Sequence, residues 1–249
     1  MVGCFRLKTL VSVIVPAYNE EKNIGRCLDG IYDSYRKVPQ WKGAFEIIVC
    51  DNNSTDGTAN IARKKGANVV FEPINQIARA RNRAAERAQG EWLVFIDADT
   101  FPTPELFLEL AKTLESEDIC CGGGRFSMTG IPLGPRLFLL GFSIFSWLMT
   151  FPGGGFMFCT REAFQSVNGF DQSLFVAEEI SLFLKLKEYS KTNSLRTKMI
   201  WSPTIETSPR KLNLYSPREF SKLFWNMLRN WKSTLRNKEA CQIWYDGRR

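Results

Sequence analysis

The sequence predicts an α/β protein with a mostly parallel central sheet flanked by helices. Three observations carry that prediction. Short apolar, often β-branched runs alternate with segments of helical spacing as far as Cys120. Each run is too short for a helix and is followed by a helix-forming stretch, as parallel strand pairing requires. Acidic or amide residues stand directly after two of the runs, Asp51-Asn52 and Asp97-Ala98-Asp99, at the edge where open α/β sheets place ligands.

The elements follow in order. Val11-Ser12-Val13-Ile14-Val15-Pro16 is the first strand, apolar enough for burial on both faces. Asn19 or Glu20 opens a helix that carries Ile24, Cys27, Leu28 and Ile31 on one side. Phe45 to Cys50 is the second strand. Ser54-Thr55-Asp56 caps a helix through Lys65, with Gly66 suited to the left-handed position past its end. Ala67 to Phe71 is the third strand, Ala78 to Ala88 an alanine-rich helix, and Trp92 to Ile96 the fourth strand. Thr103 then caps, Pro104 takes the first helical position, and Leu106, Phe107, Leu110 and Leu114 form an apolar stripe.

The alternation degrades after Cys120. Two glycine triplets, Gly122 to Gly124 and Gly153 to Gly155, bracket a strongly apolar stretch, Leu137 to Phe151. Its 15 residues fall short of the roughly 20 needed to span a bilayer. A core helix and a helix lying at a membrane interface both fit it. Ile180 to Tyr189 is helical. From Ser216 a capping box, Ser216-Pro217-Arg218-Glu219, opens an amphipathic helix with Phe220, Leu223, Phe224, Met227, Leu228, Trp231 and Leu235 on one face. Arg218, Lys222, Arg229, Lys232 and Arg236 flank that face. Such a helix docks either on the domain, with snorkelling cations, or on anionic lipid.

Composition narrows the chemistry. The 249 residues contain no histidine, which excludes Ser-His-Asp and Cys-His triads and histidine zinc sites. A general base must then be Asp, Glu, Lys, Tyr or Cys. The seven cysteines show no C-x-x-C spacing and are odd in number, and Val11 to Ala17 is too short for a signal sequence. Reduced thiols and a cytoplasmic location, peripheral to a membrane at most, are the expectation. The net charge of +7 is uneven: residues 182–249 hold 15 Lys or Arg against 5 Asp or Glu. An anionic partner surface is implied, but no nucleic-acid reading motif accompanies the charge.

Asp97 and Asp99 are the most informative pair. Two apart on an extended segment, they project to one side and offer hard oxygen donors suited to Mg²⁺ or Mn²⁺, with a substrate diphosphate completing the shell. Alone, such a pair equally describes a turn that caps the next helix. It stands fourth in a series: Val13-Ile14-Val15-Pro16-Ala17-Tyr18-Asn19-Glu20-Glu21, Asp51-Asn52-Asn53-Ser54-Thr55-Asp56-Gly57-Thr58, Ala80-Arg81-Asn82, and Asp97-Ala98-Asp99.

In order and separation this series resembles the family 2 glycosyltransferases, inverting enzymes of the GT-A fold. The match is close over residues 11–105 and looser to about residue 190. The resemblance implies a nucleotide-sugar donor, UDP- or GDP-linked. Pro16, Ala17, Tyr18 and Glu20 would line the base and ribose pocket, and Asp51 would contact the base or ribose, with Asn52 beside it. Asp97 would face ribose or sugar, Ala98 would line the same pocket, and Asp99 would hold the metal. Arg81 would contact donor phosphate or sugar hydroxyls. The resemblance further implies a catalytic domain over 1–210, with a donor half at 11–118 and an acceptor half at 119–210, and a basic helical tail at 211–249.

Two departures from the family pattern stand out. The acidic pair that follows a G-G-F-D-like stretch is Glu178-Glu179 here, where the family has Glu-Asp. Glu179 takes the place of the base, with Glu178 as the alternative; a helix N-terminus keeps such carboxylates ionised. The histidine that many GT-A enzymes recruit late in the chain is missing, and Arg210 and Lys211 stand nearby as cations for a diphosphate. The apolar stretch and the tail favour a lipid or polyprenyl-phosphate acceptor at a membrane face, and equally a saccharide acceptor with a homodimer interface. A sugar nucleotidyltransferase is disfavoured because Val15-Pro16-Ala17-Tyr18-Asn19 lacks glycine. A catalytically inactive, membrane-associated scaffold of the same fold remains the alternative of a different class.

Overall fold

The computed structural model describes residues 10–128, 152, 155–210, 214, 225, 229–230, 233–241 and 245. Eight strands form one sheet in the order β3-β2-β1-β4-β7-β6-β8-β5. The first four, β1 (Val11–Ala17), β2 (Phe45–Asp51), β3 (Asn68–Phe71) and β4 (Trp92–Ile96), are mutually parallel. They alternate with α1 (Ile24–Arg36), α2 (Thr58–Lys64) and α3 (Ile77–Arg87).

The strand pattern explains this half directly. Val11, Val13 and Val15 enter one apolar layer and Ile14 the other, all without exposure, so β1 is buried on both faces as parallel strands are. Ile24, Cys27, Leu28 and Ile31 of α1 cover the first layer. Ala78, Ala80 and Ala84 of α3 cover the second, their small side chains letting the helix approach the sheet closely. In α4 (Pro104–Leu114), Thr103 accepts a hydrogen bond from the Leu106 N–H, and Leu106, Phe107 and Leu110 join the first layer. Fully burying one such side chain is worth about 1.5–3 kcal/mol.

The rest of the sheet is mixed. β7 (Phe156–Thr160) runs antiparallel between β4 and β6 (Ile119–Ser127), and β6 pairs in parallel with β8 (Arg196–Thr207). The two-residue β5 (Thr100–Phe101) pairs antiparallel with the end of β8. Two helices, α5 (Arg161–Ser166) and α6 (Glu178–Thr192), pack Phe164, Leu182, Phe183 and Leu186 onto the second layer. Gly122 has to be glycine here, because a Cβ would stand 1.9 Å from the Lys198 carbonyl oxygen.

Local boundaries differ from the sequence prediction most at two helix starts. Helix α1 starts at Ile24 because Asn19 adopts φ 52° and residues 21–23 form a turn. Helix α6 starts at Glu178, so the acidic pair lies inside its first turn. The apolar stretch 137–151, the glycines Gly153 and Gly154, Lys211 and most of the helix expected from Ser216 lie outside the described residues. Farther on, Leu235, Cys241 and Tyr245 are buried, and the Phe175 N–H donates to the Leu235 carbonyl. This part of the tail packs on the domain. No helix among the described residues is long and apolar enough to cross a membrane.

Candidate active site

Pro16, Ala17, Tyr18 and Glu20 after β1, Asn52 after β2, Asn75 and Ile77 before and at the start of α3, and Asp97, Ala98 and Asp99 after β4 line one cleft. The loops after β1 and β2 are laced together. The Asn19 N–H donates to Ser54 Oγ (3.0 Å), the Thr55 N–H to Asn19 Oδ1 (2.8 Å), and the Glu20 N–H to Thr58 Oγ1 (2.7 Å). Asn tolerates the left-handed backbone that this lacing needs.

Two expected contacts prove to be occupied by the protein itself. The Asp51 carboxylate accepts from the Ser54 N–H (3.0 Å) and so shapes the turn. Asn52 donates to the carbonyls of Glu72 and Ile74 and accepts from the Gln76 N–H (2.8 Å). Asn52 therefore contributes to the cleft as a wall that fixes the β3–α3 connection.

Asp97 and Asp99 line the cleft together, but from a turn and not from an extended segment. The Thr100 N–H bonds back to the Asp97 carbonyl (3.0 Å), which bends the chain between β4 and β5. The two carboxylates consequently meet different guanidinium groups. Asp97 Oδ1 receives Arg81 at 2.8 Å; Asp99 Oδ2 lies 3.7 Å from Arg210. Behind them the Cys27 Sγ–H faces the Asp97 carbonyl, and its thiol is pushed well up by burial first and then by Asp99, Asp97 and Glu20, so it stays neutral.

Arg210 reaches this place through β8. Thr207 pairs with Thr100, and the Ser208 N–H donates to the Asp99 carbonyl (2.9 Å), which carries the next residues to the cleft. Its guanidinium makes a bidentate pair with Glu20, at 2.8 and 2.6 Å. Glu20 also accepts from Asn23 Nδ2 (2.9 Å).

Arg81 is the centre of the opposite wall. It is buried, with Nη2 on Asp97, Nη1 on Glu178 Oε1 (2.9 Å), and Nη1 3.9 Å from Glu179 Oε2. Its guanidinium carbon stands 5.1 Å from the Phe170 ring centroid. Although burial opposes its charge, Asp97, Glu178 and Glu179 hold it firmly protonated. Glu178 is equally buried and is pushed up to about 8 by desolvation and then by Glu179, with Arg81 pulling the other way. The Glu179 side chain keeps 25% exposure against 4% for Glu178, so of the pair Glu179 is the one a second substrate can reach.

Three further groups to which the sequence assigns no role of their own shape the site. Asn82 clamps the turn before the acidic pair: its Nδ2 donates to the Phe170 carbonyl (2.9 Å) and its Oδ1 accepts the Phe170 N–H (3.0 Å). Its position beside Arg81 was the available signal. Gly155, at φ 93°, accepts the Asp97 N–H through its carbonyl (3.1 Å), and a Cβ there would press on Thr100 and Asp97. Gln76 donates to the carbonyls of Gln172 and Leu174, a long-range contact with no local signal.

Asp99, with the free oxygen of Asp97, offers hard oxygens of the kind Mg²⁺ or Mn²⁺ takes. No group of three or more His, Cys, Asp or Glu among the described residues is arranged for a metal. Two carboxylates are fewer donors than an all-protein site, so an ion held there would draw its remaining ligands from outside the protein.

A parallel sheet with carboxylates at its strand ends, extended by antiparallel strands, is the GT-A architecture of glycosyltransferases. Solved structures share it. A mannosyltransferase from Pyrobaculum calidifontis, in complex with GDP-mannose and Mn²⁺, superposes with a TM-score of 0.66 at 20% identity, covering 95% of this chain and 65% of that one. Glucosyl-3-phosphoglycerate synthase from Mycobacterium tuberculosis, in complex with Mn²⁺, UDP and glucosyl-3-phosphoglycerate, gives 0.63 at 24% identity, covering 94% and 81%. The family model of glycosyl transferase family 2 matches residues 12–167, and the chain belongs to that family. Among curated relatives, the glycosyltransferase AglE of Haloferax volcanii is 33% identical over 125 residues, 48% of this chain and 40% of that protein. The hyaluronan synthase of Pasteurella multocida is 26% identical over 227 residues, 85% of this chain and 22% of that protein. The chain thus spans less than half the length of either.

Proposed function

We propose that this protein transfers a sugar, with inversion, from a UDP- or GDP-sugar to an acceptor hydroxyl or phosphate, with Glu179 as base. The observation that carries the reading is the shared guanidinium of Arg81, which ties Asp97 on the donor side to Glu178 and Glu179 on the other. One rigid cation spaces the donor cleft from the base, as an in-line displacement requires.

The nucleotide occupies the cleft of Pro16, Ala17, Tyr18 and Asp97 to Asp99. Asp99, with Asp97, would hold the divalent cation, which when bound supplies positive charge at the leaving diphosphate. Arg210, anchored by Glu20, adds a fixed cation at the same rim. Glu179 takes the proton of the acceptor hydroxyl. The freed oxygen pair bonds to the anomeric carbon as the bond from that carbon to the diphosphate oxygen breaks, and the electrons leave with the diphosphate. Glu178 stays bonded to Arg81 and holds its guanidinium in place.

The donor complexes of the structural relatives support a nucleotide-sugar substrate, with mannose on GDP in one and UDP in the other. The acceptor is a saccharide or a lipid-linked phosphate; the uneven positive charge of residues 182–249 favours an anionic one presented at a membrane face. A thermal-shift panel of UDP-glucose, UDP-N-acetylglucosamine and GDP-mannose, with and without Mn²⁺, tests the reading. Stabilisation by one base class that depends on Mn²⁺ is expected. No shift with any of them would remove the donor assignment.

A further inference from the structure

We propose that Tyr245 is a positioning residue for the base, its hydroxyl buckling together the two segments that carry Arg81 and the Glu178-Glu179 pair. The hydroxyl donates to the Phe175 carbonyl at 2.8 Å and lies 3.5 Å from the Ile77 N–H, which points to it as a donor. Ile77 is the first residue of α3, one turn before Arg81. Phe175 stands three residues before Glu178. The Tyr245 ring meets the Phe175 ring edge-on at 5.5 Å, and Lys238 Nζ lies 5.6 Å from the Tyr245 centroid.

The connection that Tyr245 grips is held nowhere by its own secondary structure. Residues 172–177 carry neither helix nor strand. Gln76 takes the carbonyls of Gln172 and Leu174, the Leu235 carbonyl takes the Phe175 N–H (2.7 Å), and Tyr245 takes the Phe175 carbonyl. Both polar backbone groups of Phe175 therefore end on the C-terminal segment. Two residues later Ala177 sits at φ 63°, a left-handed conformation that an alanine keeps only when its surroundings impose it. That residue is the N-cap of α6 and aims the acidic pair at Arg81. Burial and the nearby Glu178 carboxylate push the Tyr245 phenol up, so it remains a donor. A displacement of the base by about 1 Å is enough to cost roughly a hundredfold in rate.

The inference rests on Glu179 as base only for its effect on rate; its effect on the loop stands apart. The test is Tyr245→Phe, which keeps the buried ring and removes the hydroxyl alone. Hydrogen–deuterium exchange across residues 175–179 needs no substrate, and about tenfold faster exchange is expected there, with the exchange of β1 and β4 unchanged. Hydrolysis of UDP-glucose, UDP-N-acetylglucosamine and GDP-mannose with Mn²⁺ is read alongside, on wild type, Tyr245→Phe and Glu179→Gln. For the hydrolysed donor, kcat should fall roughly tenfold in Tyr245→Phe while its affinity stays within about twofold. Unchanged exchange at residues 175–179 overturns the proposal, as does a rate loss matched by an equal loss of donor affinity. Wild-type hydrolysis by Glu179→Gln instead overturns the base assignment, and leaves the exchange result to decide Tyr245.

Discussion

Along β1, β2 and β4 the cleft residues stand where their own strands end, each fixed by pairing to a parallel neighbour. On the opposite wall helices, not strand ends, carry Arg81 and the Glu178-Glu179 pair, and ion pairs join segments far apart in sequence. Arg81 meets Glu178 across 97 positions of sequence, and Arg210 meets Glu20 across 190. The cleft lining is thus a property of the sheet, and the Arg81 wall a property of ion pairs and loop ties between remote segments. The first should tolerate the loss of one tie better than the second.

Four experiments break or sharpen this contrast. The largest effect falls on turnover: Glu179→Gln should lower sugar transfer or donor hydrolysis by about 10³-fold, the scale of general-base catalysis, with donor affinity kept. Loss of affinity alone would place Glu179 on the donor side. Next comes Arg81→Leu, which strands Asp97, Glu178 and Glu179 without their cation in a buried wall. Removing one partner of a buried pair costs about 3–5 kcal/mol, read as a lower urea midpoint. An unshifted midpoint would mean that the transfer wall holds itself without the pair.

The third effect is on pH dependence. Glu178 is raised to about 8 in the folded protein from 4.5, so between those values the native state binds more protons than the unfolded one. Stability should therefore fall as pH rises from 4.5 toward 8, and Glu178→Gln should flatten that slope. A slope that persists in the variant assigns it to another group. The smallest effect belongs to the donor half: Thr103→Ala removes the cap of α4 and should cost about 1 kcal/mol while leaving donor binding intact. Lost donor affinity there would show that the donor half, too, depends on single ties.

The strands of the first half, the three motifs at their ends and the one on α3 were legible because each is written in contiguous residues. Val11 to Val15 alternate between two apolar layers, and a run apolar on both faces belongs inside a parallel sheet. The gathering of Tyr18, Asp97 and Asp99 in one cleft follows from parallel pairing alone. The use of individual polar atoms is less legible: Arg81 bonds the carboxylates of Asp97 and Glu178, Asn52 bonds backbone carbonyls, and the Asp97–Asp99 segment, read from the sequence as extended, is a turn. A side chain's type states what it can bond, and only its neighbours state what it does bond.

By itself, then, the amino-acid order determined the alternation of strands and helices, the carboxylates at the strand ends, and the exclusion of histidine chemistry, since all three depend on residue type and local periodicity. Tertiary structure decided the antiparallel strands, the seat of Arg210 beside Asp99, the greater exposure of Glu179 than of Glu178, and the seat of Tyr245 on the connection before them. The physical reason is range: hydrophobic periodicity acts between residues a turn apart, whereas ion pairs and burial act between whichever segments the folded chain presses together.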